Sequence, residues 1–250
     1  MQLKFSIITV TFNAERWLER TIQSVIRQPA GFMEHIIIDG GSTDGTLDII
    51  KKYQDKIAYW ISEPDEGLYD AMNKGLQKAT GDYVWFINAG DIIHASDTVA
   101  NIVKGIGGPE LPDVIYGETA VSDKNGNVVG MRRLKTPEDL NWKSFRWGMS
   151  VCHQSFIARK KIVPLYNLSY HIAADYDWCI RCLKSARVIH NTNIVLSDFL
   201  EEGLSSRRRN EALKERYRIM CRYYGRIPTI FFHMWFLVRF YFAKWVKGRV

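Results

Sequence analysis

Apolar runs of strand length alternate with segments of helical periodicity over residues 4–87, and this alternation constrains the fold more than any other feature. The strand candidates are 4–10, 35–38, 56–61 and 82–87. Apolar residues recur at helical spacing between them, over 14–26, 47–51 and 68–79. This β-α-β-α-β-α-β order predicts an α/β fold with a parallel, doubly wound sheet.

The pattern changes beyond residue 110. Short extended runs cover 114–117, 119–121, 128–130, 151–158 and 188–199. Asn125-Gly126 is typical of a hairpin turn, and residues 172–183 have helical periodicity. We therefore expect one Rossmann-like domain over 1–206. Its sheet would be mostly parallel and flanked by helices, and it would become mixed in the second half. A helical tail follows over 207–250.

The positive charge is concentrated in the tail. The chain carries a net charge of +7, but residues 207–250 carry +10 and the rest carries −3. Residues 231–246 are mostly apolar and aromatic, although His233, Arg239 and Lys244 interrupt a run shorter than a full membrane span. This combination favours a helix lying in the interface of an anionic membrane. The alternative is a core or oligomer helix; nucleic-acid binding is disfavoured because the aromatics are contiguous.

The cysteines and the first residues bear on the cellular compartment. Four scattered cysteines suit a reducing compartment, and Cys179-x-x-Cys182 lies in a predicted helix, where packing is the expected role. Residues 1–12 lack the features of a signal peptide. We expect a cytoplasmic protein, peripheral on the inner face of the plasma membrane.

Polar loops follow the predicted strands. Residues 9–13, 39–46 and 88–91 follow the first, second and fourth strands. The third strand leads into 62–75, which holds four carboxylates, an Asn, a Lys and two glycines. Ligands of open α/β sheets bind outside the carboxyl ends of the strands. Because the first loop contains no glycine, a dinucleotide fingerprint is excluded, and a Walker A loop is also absent.

Four of these segments together resemble one family. Residues 6–13, 37–46 and 86–91 resemble the opening of the family-2 inverting glycosyltransferases, and 62–75 is similar to the subset that builds bacterial surface polysaccharides. The resemblance covers about residues 4–205. It implies a GT-A fold with a nucleotide-sugar half (1–110) and an acceptor half (111–206).

The resemblance also implies a reaction. A sugar would pass from a nucleotide donor, most simply a UDP-sugar, to a glycan or a polyprenyl-diphosphate-linked acceptor, with inversion. The alternative is a non-catalytic nucleotide-sugar-binding or assembly-partner subunit. A processive synthase is disfavoured because no Q-x-x-R-W follows Asp175.

The resemblance assigns donor-site roles to particular residues. Asp39 would accept a hydrogen bond from the nucleobase, although it also suits a structural role in a glycine-rich turn. Asp70, Asn73 and Lys74 fall within one helical turn and would share a face, either towards the nucleotide or towards solvent. The residues expected to bind the nucleotide sugar are Thr9, Thr11, Asn13, Asp39, Asp70, Asn73, Lys74, Asn88, Gly90 and His153.

A metal ligand is implied at the fourth loop. Where the family has D-x-D, this chain has Asn88-Ala89-Gly90-Asp91, so a single carboxylate remains. The resemblance makes Asp91 the protein ligand of a Mg²⁺ or Mn²⁺ ion that holds the diphosphate. Such ions often take only one or two carboxylates, and substrate oxygens and waters complete the shell.

The acceptor side needs a base. Residues 173–178 resemble the E-D segment of the family, with Ala174 in place of Glu and Asp175 in place of Asp. In helical projection Asp175 lies at the edge of the buried face and Asp177 points away from it. Asp175 would take the proton of the acceptor hydroxyl; the alternative is a helix N-cap. His153, expected in a strand, would lie near the metal or the sugar or be structural. Residues 200–206 resemble a closing loop.

Overall fold

A computed structural model describes residues 3–106, 110–200 and 208–247, without the side chains of 209, 237 and 239–247. Its strands are β1 (Phe5–Thr11), β2 (Met33–Asp39), β3 (Tyr59–Ser62), β4 (Tyr83–Phe86), β5 (Ile92–Ile93), β6 (Val114–Ser122), β7 (Val128–Met131), β8 (Phe156–Arg159) and β9 (Ile189–Leu200). Its α-helices are α1 (Leu18–Ile26), α2 (Thr46–Lys52), α3 (Leu68–Lys78), α4 (Thr98–Gly105), α5 (Ala174–Ser185), α6 (Arg209–Tyr224) and α7 (Arg226–Lys247).

The described strands form one sheet in the order β3-β2-β1-β4-β8-β6-β9-β5, with β7 paired to β6. Strands β1 to β4 run parallel, which confirms the prediction for the first half. Strand β8 runs antiparallel to both β4 and β6, so the second half is mixed. All of β1 is buried because helices cover both faces of the sheet: Ile8 packs in one core cluster with α3, and Ile7 in another with α4.

Several predicted boundaries shift. The runs 114–117 and 119–121 form one strand because β6 continues its pairing with β9 past Gly117. The predicted strand over 151–158 is strand only from Phe156, and His153 lies instead in a 3₁₀ turn. The first helix begins at Leu18 rather than near Ala14.

The first tail helix belongs to the core. On α6, Ile219 and Met220 are buried in the same cluster as the apolar face of α5. Tyr223 donates a hydrogen bond from Oη to Asp177 Oδ1 at 2.8 Å, and Arg181 Nε lies 2.7 Å from Asp177 Oδ2. The expectation that Asp177 points away from the buried face is therefore wrong: α6 covers it and makes it fully buried.

The second tail helix, α7, is less covered than α6. Among its described side chains, the exposed large apolar residues are Ile227, Ile230, Phe231, Met234, Trp235 and Val238. No helix in the described part of the chain combines the length and apolarity needed to cross a bilayer. Helix α6 is thus part of the core, whereas α7, which carries the run 231–246, presents a partly uncovered apolar face.

The buried carboxylate of Glu34 joins three segments at the edge of the sheet opposite the polar loops. Glu34 accepts hydrogen bonds from Ser6 Oγ at 2.6 Å and from the Thr80 hydroxyl at 2.6 Å, and Lys4 Nζ lies 2.7 Å away. Burial alone would raise the pKa of Glu34, but the hydrogen bonds from Lys4, Ser6 and Thr80 lower it to about 2.

We expect Glu34→Gln to lower the free energy of unfolding at pH 7 by about 1–3 kcal/mol. A depressed folded-state pKa stabilises the protein above the unfolded value of 4.5, and that stabilisation is lost as the pH falls towards 2. The difference between the two proteins should therefore shrink below pH 4. Urea unfolding at pH 7 and pH 3 measures it, and a pH-independent difference would contradict this explanation.

Candidate active site

One cavity of about 1310 Å³ lies at the carboxyl ends of β1 and β4. Its walls come from both halves of the domain and from both tail helices. Of the predicted site residues, those lining it are Thr11, Asn13, Asn88, Asp91, His153 and Asp175. The remaining predicted residues lie outside this lining: Thr9, Asp39, Asp70, Asn73, Lys74 and Gly90.

Asp91 belongs to the part of the cavity wall that comes from the first half of the domain. It is 4% exposed, and it accepts hydrogen bonds from Leu200 N at 2.9 Å and from Gln154 Nε2 at 2.8 Å. Burial raises the pKa of Asp91 to about 7, and these two hydrogen bonds only partly oppose that rise. The neighbouring Gly90 has φ +103°, and a Cβ there would lie 2.8 Å from the Leu200 side chain, so the turn requires glycine.

Asp175 belongs to the part of the cavity wall that comes from the second half of the domain. Helix α5 begins at Ala174 with Ala173 at the N-cap position, so Asp175 is inside the first turn rather than capping it. Its Oδ1 accepts a hydrogen bond from Tyr176 N at 2.8 Å and lies 3.3 Å from Tyr69 Oη, which also donates to Ile172 O at 2.8 Å. The carboxylate is half-buried and lines the cavity, which leaves it accessible to a ligand.

The segment 152–154 lies between the two carboxylates. Gln154 holds Asp91, while the charge of Asp175 acts on His153. Burial lowers the pKa of His153 to about 4 despite the opposing charge of Asp175, so the ring is neutral at pH 7. Its Nε2 lies 2.7 Å from Tyr166 Oη, and its ring stacks on Phe86. His153 thus lines the cavity as a packed, neutral group.

Asp39 organises its own loop. It is fully buried, and its oxygens accept hydrogen bonds from Gly41 N, Ser42 N, the Ser42 hydroxyl and the Ser62 hydroxyl. This arrangement matches the turn role, and Gly40 lines the cavity in front of it. A nucleobase contact by Asp39 stays a prediction that requires these bonds to rearrange.

In the first loop, Thr9 and Asn13 make hydrogen bonds within the protein, and the Thr11 hydroxyl does not. The Thr9 hydroxyl is buried and donates to Ile87 O at 2.7 Å, so it holds strands together. Asn13 accepts a hydrogen bond from Thr43 N at 2.9 Å and joins the first two loops. The Thr11 hydroxyl, by contrast, is buried in the cavity wall without a hydrogen-bond partner among the described residues. Such an orphaned group at a cavity indicates a ligand contact.

Of Asp70, Asn73 and Lys74, the first and the last lie on one face of α3, and Asn73 does not. Asn73 is buried and exchanges hydrogen bonds with the backbone of Tyr166, at 3.1 and 2.7 Å. Lys74 pairs with Glu63 at 2.8 Å, and Asp70 lies 3.5 Å from Lys74. Asp70 and Lys74 therefore share a face, as the i,i+4 spacing predicts, whereas Asn73 lies about 100° from Lys74 and is turned into the core. The face of α3 that lines the cavity instead carries Leu68, Tyr69, Ala71 and Met72.

A glutamate of the tail, absent from the sequence predictions, fixes the entrance to α5. Glu215 on α6 accepts hydrogen bonds from the backbone N–H groups of His171, Ile172 and Ala173 at 2.8, 2.9 and 2.8 Å. It is 9% exposed. Because Asp175 follows this segment directly, α6 determines where the candidate base lies. The bond spans more than forty residues, and no local pattern signals it.

The side-chain oxygen atoms of Asp91 and Asn88 suit a hard cation. Asn88 Oδ1 is buried in the cavity wall and has no hydrogen-bond donor among the described residues. The Asp91 carboxylate retains acceptor capacity beyond its two N–H donors. In the described ranges no three His, Cys, Asp or Glu side chains cluster as a metal site. These oxygens fit a divalent cation whose shell is completed mostly by substrate and water. The closing-loop residues 201–206 lie outside the described part of the chain.

Comparisons with known proteins bear on the family of this chain. The family described as Glycosyl transferase family 2 matches residues 6–164. A PGL/p-HBAD biosynthesis glycosyltransferase of Mycobacterium bovis is 34% identical, over 80% of this chain and 77% of its own. An uncharacterized glycosyltransferase of Mycobacterium tuberculosis is 33% identical, over 89% of this chain and 85% of its own.

Solved structures share the fold at lower identity. S. aureus TarS 1–349 in complex with UDP superposes with a TM-score of 0.64 at 21% identity, over 88% of this chain and 64% of that one. The mannosyltransferase PcManGT from Pyrobaculum calidifontis, in complex with GDP-Man and Mn²⁺, gives 0.63 at 21%, over 89% and 65%. This chain thus spans slightly less than two thirds of these two chains. The expected GT-A fold is confirmed, and the chain belongs to glycosyl transferase family 2.

Proposed function

We propose that this glycosyltransferase moves a sugar from a nucleotide donor, a UDP-sugar, to a hydroxyl group of a glycan or lipid-linked acceptor, with inversion at the anomeric carbon. One observation carries the proposal: Asp91 and Asp175 come from opposite halves of the fold and line one cavity. The TarS complexes with UDP and UDP-GlcNAc and the PcManGT complex with GDP-Man support a nucleotide-sugar donor.

Asp175 is the proposed general base. A base must lie within hydrogen-bond reach of the proton it takes, and the half-buried Asp175 carboxylate borders the cavity. The Tyr176 N–H donates to Oδ1, and the Tyr69 hydroxyl lies 3.3 Å from the same oxygen, so both restrict the orientation of the carboxylate. The acceptor oxygen, losing its proton to Asp175, attacks the anomeric carbon as the bond to the nucleoside diphosphate breaks.

Asp91 and Asn88 are the proposed ligands of Mg²⁺ or Mn²⁺. When bound, such an ion offsets the negative charge that develops on the leaving diphosphate. Gln154 and the Leu200 N–H hold the Asp91 carboxylate in place. The Mn²⁺ in the PcManGT complex supports this assignment.

The alternative function is a non-catalytic nucleotide-sugar-binding or assembly-partner subunit. Release of nucleoside diphosphate from a panel of nucleotide sugars, with Mn²⁺ or with EDTA, separates the two. We expect Mn²⁺-dependent release that is fastest with one UDP-sugar. Binding of UDP without release from any donor, in the presence of candidate acceptors, would favour the subunit.

Glu215 is proposed as a positioning residue. Glu215→Gln weakens the acceptor for three backbone N–H groups next to Asp175, so we expect kcat to fall about tenfold. The dissociation constant for UDP should not change, because the donor-side wall comes from other elements. The control is Glu211→Gln on the same helix, since Glu211 is exposed and pairs with Arg208. An equal loss of UDP affinity and kcat would indicate general unfolding instead.

We also propose that α7 lies on an anionic membrane surface, which would place the enzyme peripherally on the inner face of the plasma membrane. Phe231 and Trp235 are 63% and 51% exposed, and the tail carries a net charge of +10. Apolar area combined with basic charge is the pattern that binds anionic lipid interfaces.

Vesicle sedimentation tests the membrane proposal. Replacing Phe231 and Trp235 by Ser should weaken binding to anionic phosphatidylglycerol vesicles at least about tenfold. Serine at Val128 and Val129, which are exposed on β7, is the matched control and should leave binding unchanged. Equal sedimentation of both double variants would contradict the proposal.

A further inference from the structure

An arginine of the first tail helix extends into the cavity without a partner for one of its N–H groups. Arg216 follows Glu215 on α6 and lines the cavity. Its Nε is buried and has no hydrogen-bond partner among the residues that the structure describes. A guanidinium is always charged and presents N–H donors in a planar fork that fits phosphate oxygens. Leaving such a donor buried and unpaired is unfavourable, so the site favours an anionic ligand.

The position of Arg216 is on the acceptor side. Its charge acts on Tyr69 and Tyr176, where burial raises the pKa of both hydroxyl groups and Arg216 lowers it. The Tyr69 hydroxyl lies 3.3 Å from Asp175 Oδ1. On the donor side, the arginine whose charge acts on Asp91 is Arg20.

Much of the surface beside Arg216 is apolar. The same helix contributes Leu213 and Met220 to the cavity wall, α7 contributes Phe236, and Trp147 and Met149 line the same cavity, as do the polar side chains of His233, Arg132 and Arg133. Leu213 and Trp147 are 44% and 43% exposed, so they are available to a ligand. An unpaired guanidinium N–H next to such a wall suits a ligand with an anionic head and an apolar chain.

We propose that Arg216 binds a phosphate group of an amphiphilic acceptor, whose apolar part lies against the wall formed by α6 and α7. This assignment rests on the proposed function, because it treats the cavity beside Asp175 as the acceptor site. It makes the two tail helices a part of the acceptor site. The leaving diphosphate of the donor is the other source of phosphate, and the test separates the two.

Two probes that differ only in the anionic group test the proposal: octyl phosphate and octanol. Their binding to the full chain is measured by tryptophan fluorescence, with the protein saturated in UDP and Mn²⁺. We expect octyl phosphate to bind at least about tenfold more tightly than octanol. Arg216→Gln should remove this preference and leave the dissociation constant for UDP unchanged. The control is Arg218→Gln, an exposed position on the same helix, which should behave as wild type.

The binding measurements decide whether Arg216 binds the phosphate of an acceptor. Unchanged octyl phosphate binding in Arg216→Gln overturns the proposal, as does loss of UDP affinity, which would assign Arg216 to the donor diphosphate. Arg216→Lys, which keeps the charge, should retain part of the preference, and it guards against misfolding of the Gln variant. Failure of wild type to bind UDP counts against the proposed function rather than against the role of Arg216.

Discussion

Asp175→Asn is expected to lower kcat for sugar transfer by about 10²–10⁴-fold, the range of general-base catalysis. Asparagine has the same shape, and its oxygen can still accept from Tyr176 N, so the start of α5 should keep its structure. Its amide cannot take a proton from an acceptor hydroxyl. The dissociation constant for UDP should therefore match that of the wild type.

Initial rates of acceptor-dependent nucleoside diphosphate release, measured beside UDP titrations, check this expectation. Asp55→Asn alters an exposed carboxylate remote from the cavity and serves as the control. Transfer at the wild-type rate by folded Asp175→Asn would show that the base is another group. Loss of UDP binding would show that the carboxylate serves the donor.

Asp91→Asn is expected to have two opposite effects. Transfer should fall by about 10²–10³-fold, because the amide is a poorer ligand for the cation that offsets the charge of the diphosphate. The metal-free protein, however, should become more stable at pH 8 by roughly 1–4 kcal/mol. A residue that destabilises the fold and supports the reaction is expected at a functional site.

The sign of the stability change follows from the raised pKa of Asp91. Between 3.8, the ordinary value, and about 7, the unfolded chain has released its proton while the folded chain still holds it. The free energy of unfolding of wild type therefore decreases as the pH rises through this interval. The advantage of Asp91→Asn should grow from pH 4 to pH 7 and then level off. Urea unfolding in EDTA measures it; a constant difference across this range would contradict the explanation.

The first half of the fold was predictable because its information is local. Each strand of the β1-to-β4 region is a continuous apolar run, and each intervening helix has its own periodicity. The loops at the strand ends then had to meet at one rim, so spacing and resemblance together predicted Thr11, Asn88 and Asp91 close to one another, and all three line the cavity. Asp175 was predicted from the resemblance and from helical projection, and it lines the same cavity.

What the sequence could not reveal depends on partners distant along the chain. Asp177 was expected outside the buried face, yet α6 covers it and supplies the Tyr223 hydroxyl. Asn73 was expected to face a ligand, but its amide nitrogen and amide oxygen both form hydrogen bonds with the backbone of Tyr166. Glu215 and Arg216 resembled ordinary charges of a basic tail. Their positions follow from the packing of α6 against the entrance to α5.

The most direct test of the central claim, that donor and acceptor groups meet in this one cavity, is a crystal structure with UDP and Mn²⁺ bound. We predict an anomalous difference peak for manganese at the Asp91 carboxylate, with the diphosphate of UDP in the cavity that Asp175 lines. A manganese peak and a UDP molecule elsewhere on the protein, with this cavity empty, would contradict the account.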